Sequence, residues 1–106
     1  MVMRIIKDVA EDIEEELEGA EHYMRTALLY KADNPQLAKT FYDISLQEMH
    51  HVELLHGEVV KLIEAHRKEK GEPPAAMIAV WNYVHEKHIK HSKAIKLMQA
   101  EYRGEA

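Results

Sequence analysis

Apolar residues recur along this chain every three or four positions, and no stretch shows the strict alternation of a strand. Ile6, Ala10, Ile13, Leu17, Ala20, Met24, Ala27 and Leu28 make one stripe. Leu37, Phe41, Ile44, Val52, Leu55, Val59 and Leu62 make a second, and Met77, Ile78, Trp81, Val84, Ile95 and Met98 or Tyr102 a third that is interrupted in its middle. Two punctuation marks separate them. Asp33, Asn34 and Pro35 combine turn formers with a proline suited to a first helical position, and Gly71 followed by Pro73 and Pro74 stops a helix and delays the next. The pattern predicts three long helices over about 2–32, 36–70 and 74–103, an all-α fold in a single domain spanning residues 1–106. Helices of roughly 30 residues are long for a globular protein and suit a bundle. A chain of 106 residues can bury only part of each apolar face, so oligomerisation, at least to a dimer, is expected.

The polar residues that fall inside these stripes carry the chemistry. At about 100° per residue, Glu48 lies four after Ile44 and seven before Leu55, at the centre of the second stripe, with His51 one turn further on. A carboxylate on an apolar face must be protonated, paired or bound to a cation, because burying it bare costs several kcal/mol. Glu48 and His51, an i, i+3 carboxylate and imidazole, can hold one transition-metal ion between them. On the first helix Glu21 ranks first as an inward acid, being four after Leu17 and three before Met24; Glu14 ranks second and Glu18 third. On the third helix His85 and His88 fill the interruption, four and seven after Trp81. The blander reading of each remains open: a lone inward histidine is commonly a satisfied core residue, and Glu48 with His51 or His88 can form a metal-free polar network. His22, His50, His56 and His66 read as solvated or marginal.

Composition then removes alternatives. With no cysteine, disulfides, thiolate nucleophiles, iron–sulfur clusters and cysteine-based zinc sites are excluded. A net charge of −5 with mixed signs argues against nucleic acid, and the basic residues from His66 to Lys70 suit a helix C-terminus. No apolar run approaches the roughly 18 residues of a membrane span, and the first residues lack a signal-peptide core. The expected location is therefore the cytoplasm, including the lumen of a protein compartment. Carboxylates with imidazoles suit iron, manganese or zinc.

The segment from Pro35 to His51, with Leu37-Ala38-Lys39 and Phe41-Tyr42 leading into Glu48-Met49-His50-His51, resembles the second helix of rubrerythrins, and the chain is similar to the ferritin-like superfamily over its first two helices. The resemblance implies a carboxylate-bridged di-iron or di-manganese centre with Glu48 bridging and His51 a terminal ligand. Gly19-Ala20-Glu21 is similar to the first-helix passage of that family, which would make Glu21 its ligand there. The implied activity is ferroxidase or peroxide reduction. The chain departs from the pattern in having one later helix, with His85 and His88 in place of a further glutamate and a second E-x-x-H. Three helices do not complete a four-helix site. Either two subunits pair their first and second helices around the metals, or the third helix closes a site within one chain. The metal ligands expected are thus Glu21, Glu48, His51, His85, His88 and Glu14, with iron favoured over manganese or zinc. The rival reading is a structural zinc-binding or metal-free helical interaction protein.

Overall fold

A computed structural model describes residues 2–105 and shows three helices: α1 (Val2–Tyr30), α2 (Pro35–Lys70) and α3 (Ala75–Arg103). The ends fall where local chemistry puts them. Asn34 caps α2 by accepting from the Leu37 N–H at 3.2 Å, and Pro35 occupies the first turn, where its missing N–H costs nothing. Gly71, with φ +80°, ends α2 by donating to the Arg67 carbonyl, and Arg67, Lys68 and Lys70 complement the dipole of the last turn. Gly104 closes α3 in the left-handed conformation, and the N–H of Glu105 donates to the Ala100 carbonyl.

α1 and α2 pair along their length as an antiparallel hairpin, and α3 lies chiefly against α1, touching α2 little. The result is a rod of 56 × 19 × 17 Å. Its central core gathers Ile13, Leu17, Ala20, Met24 and Ala27 from α1, Ala38, Tyr42, Met49 and Val52 from α2, and Ile95 from α3. A second cluster, Ile6, Val59, Ile63 and Met77, lies toward the end where α2 meets α3. Both follow from the heptad-like spacing of one apolar face per helix.

The face that α2 buries differs from the one its sequence suggests. Ala38, Tyr42, Ser45, Met49, Val52, Val59 and Ile63 are buried, whereas Leu37 is exposed and Phe41, Ile44, Leu55 and Leu62 are only half-buried. The helix therefore has two adjacent apolar strips, roughly a quarter turn apart. The hairpin takes the strip with small residues because Ala20 and Ala27 of α1 face Ala38 and Ser45 of α2, allowing the backbones to approach closely. Ser45 Oγ donates to the Ala20 carbonyl at 3.0 Å and accepts from Gln99 Nε2 at 3.2 Å, so one buried hydroxyl ties all three helices. The bulkier strip, with Glu48 in its middle, is left on the flank that α3 does not cover.

Candidate metal centre

Glu48 projects from that uncovered flank of α2 toward α1. Across from it stand Glu16 and Gly19, one turn apart on α1. The ligand atoms of Glu16, Glu48 and His51 all lie within 4.8 Å of one another, and the Glu16 Oε2 to His51 Nδ1 distance is 3.4 Å. A Cβ at Gly19 would stand 3.5 Å from Glu48 Oε2, an ordinary contact, so the acid of α2 lies directly against this turn of α1. Tyr23 and Phe41, stacked at 5.8 Å between ring centroids, pack on the same flank toward the hairpin turn.

The electrostatics of this group follow from crowding two acids. A hydrogen bond to Glu16 raises the Glu48 pKa from its ordinary 4.5 to about 7, helped by burial and by the Glu16 charge and opposed by His51. Among the described residues no lysine or arginine forms a salt bridge with either acid. The Glu48 carboxyl thus keeps its proton well above the ordinary carboxylate range, chiefly because it shares a hydrogen bond with Glu16. The donor set, two carboxylates and one imidazole, is of the hard and borderline kind that divalent iron, manganese and zinc accept. Glu16 and Glu48 are half-buried, whereas His51 is exposed, so the group opens to the outside of the rod.

The other expected ligands lie elsewhere. Glu21 is on the opposite flank of α1, where its Oε1 lies in hydrogen-bond contact with His91 Nε2 at 2.8 Å and its other oxygen pairs with Arg25. Glu14 and Glu18 are exposed. His85 and His88 face the α1–α2 hairpin from α3, near His56, at the side of the molecule away from Glu48. Within one chain, then, Glu48 and His51 are joined by Glu16 and not by Glu21, Glu14, His85 or His88. Glu48 itself sits at the margin of the buried face, not at its centre, because the hairpin uses the neighbouring strip.

Glu16 is the member of this cluster that helix-angle reasoning passed over. Its signal is in the chain: it lies three after Ile13 and four before Ala20, both fully buried, which puts it on the flank of the α1 stripe. Counting from Leu17 and Met24 draws attention to Glu21 on the opposite flank. Which flank faces the acid of α2 depends on the rotation of α2, which the small-residue strip sets.

These residues define a carboxylate and imidazole cluster on the open side of a helical hairpin. The chain matches no protein-family model, and no curated protein or solved structure matches it significantly.

Proposed function

We propose that the chain is a ferritin-like metal-binding protein whose Glu16, Glu48 and His51 hold iron, and that it oxidises ferrous iron or reduces peroxide. The observation that carries this reading is the Glu16–Glu48 pair: two acids facing each other across α1 and α2, the Glu48 pKa raised by its neighbour, with His51 beside them and, among the described residues, no lysine or arginine paired to either. A divalent ion replaces the Glu48 proton and neutralises both carboxylates, which is the usual coupling of metal uptake to proton release. Glu16 and Glu48 would supply carboxylate oxygens to the ion, and His51 an imidazole nitrogen. Bound ferrous iron would supply the reducing equivalents for dioxygen or peroxide.

One chain offers three ligands, and the strip around them is apolar. Leu37, exposed by 38%, and the half-buried Phe41, Ile44, Leu55 and Leu62 flank Glu48 along the uncovered side of α2. We infer that a second copy covers this side in a two-fold pair. An isologous contact sets the same patch against itself, so it brings two triads together, giving four carboxylates and two imidazoles for two ions. This is one of the two ways in which a three-helix chain can reach a four-helix site, the other being closure by its own third helix.

The test is elemental analysis of the purified protein, combined with the rate of ferrous oxidation in air. Wild type should carry iron and oxidise ferrous ion faster than buffer, and Glu48→Ala should lose both while staying helical by circular dichroism. A protein that takes up no metal and leaves the oxidation rate at the buffer value is a metal-free polar network, and the proposal fails. Uptake of zinc alone, unaffected by air, would leave a structural site and remove the redox reading.

A further inference from the structure

The two hydrophobic clusters of the rod are separated by a layer of imidazoles. On α2, His56 lies between Val52 of the central cluster and Val59 of the terminal one; on α3, His85 and His88 lie between Ile95 and Met77. The rings of His56 and His85 stack at 4.6 Å between centroids, and Trp81 packs against both, at 6.0 Å from His56 and 5.4 Å from His85. A cleft of about 250 Å³ opens beside them, lined by Ile13, Val52, His56, His85, His88 and Ser92 among others.

Two of these imidazoles are unsatisfied. His88 is only 7% exposed, and its Nε2 has no hydrogen-bond partner; the buried Nδ1 of His85 has none either. Buried polar atoms in folded proteins nearly always find a partner, and leaving one bare costs about 1–3 kcal/mol. Hydrophobic residues at these positions would join the two clusters without that cost. Burial holds both histidines below the usual histidine range, which keeps the lone pairs free to bind. Glu14 of α1 acts on His88 in the opposite sense, adding a carboxylate charge near the layer.

We propose that His56, His85 and His88 form a second metal site, distinct from the Glu16–Glu48–His51 group, that takes a borderline divalent ion such as zinc or copper(II). Three imidazoles with no sulfur ligand suit this class, and histidines spaced i, i+3 on α3 present two donors from adjacent turns. The faces of His56 and His85 meet, so binding a shared ion turns the rings about their side-chain bonds to aim nitrogens into the cleft. The ion would link α2 to α3, the two helices with the least mutual contact.

Trp81 is the only tryptophan and adjoins the layer, so copper(II) titration followed by its fluorescence reports directly on this place. Wild type should show saturable quenching at one copper per chain, reversed by the chelator EDTA, with nitrogen hyperfine structure in the copper resonance spectrum. His85→Gln/His88→Gln should weaken binding by at least about 10–100-fold, the range seen when even an outer partner of a metal ligand is lost. His56→Gln should do the same and guards against a folding failure of the double variant, since it changes one half-buried residue. Glu48→Gln should leave the quenching intact. Quenching that is not saturable, or that is unchanged in the histidine variants, would overturn the proposal. Quenching lost only in Glu48→Gln would assign the copper to the carboxylate group instead. Because the two sites share no residue, either can fail without the other.

Discussion

Ser45 shows how much a single hydroxyl does here. It is fully buried and serves both as donor to Ala20 and as acceptor from Gln99. Ser45→Ala should cost about 1–3 kcal/mol, because it strands the buried Gln99 amide. Adding Gln99→Leu should recover part of that loss, and a double-mutant cycle by urea denaturation measures the coupling. Glu48 gives a different signature. Its folded pKa of about 7 exceeds the ordinary 4.5, so the folded state of the metal-free protein holds an extra proton between those values. Stability from this group is complete below pH 4.5, falls as pH rises through 7 and is flat beyond. Glu48→Gln abolishes that slope, so its melting temperature relative to wild type should climb from pH 4.5 to 7 and then level. His85 and His88, lowered by burial, contribute with the opposite sign, losing stability as pH falls below 6.5. The difference between variant and wild type cancels their part.

At the scale of the element, the helix boundaries were legible because proline, asparagine and glycine act locally: Asn34-Pro35 and Gly71 stand at the observed ends of the turns. The rotation of α2 was not. Leu37, Phe41, Ile44 and Leu55 outweigh Ala38, Ser45 and Met49 in bulk, and a count of apolar residues follows bulk. Close helix pairing instead selects small side chains, and the two strips are near enough in angle that only the partner decides between them. From that one choice follow the marginal place of Glu48, the exposure of His51 and the recruitment of Glu16 in place of Glu21. Gly19 tests the register. A Cβ there makes ordinary contact with Glu48 Oε2 at 3.5 Å, so Gly19→Ala should fit and raise helix stability by about 0.5–1 kcal/mol, seen as a higher urea midpoint. A large loss instead would mean that α1 and α2 pair in another register.

For the whole molecule, α3 covers one side of the hairpin and leaves the other bare. Among the described residues no helix is long and apolar enough to cross a membrane. If a second copy covers the bare strip, Ile44→Asp or Phe41→Asp should yield a monomer by size-exclusion chromatography with light scattering. Ile44 and Phe41 lie one and two turns before Glu48 on the same strip, so iron loading should fall with the dimer, while copper binding at the histidine layer persists.

The bare strip also sets a rule for mixtures. On the proposed pairing each subunit donates half of every centre, so a defective chain spoils the centre of any sound chain it joins. With equal amounts of wild type and Glu48→Ala assorting at random, only about a quarter of the pairs would keep two intact halves. Activity in such a blend would track the square of the wild-type fraction, whereas a centre confined to one subunit would give a straight line.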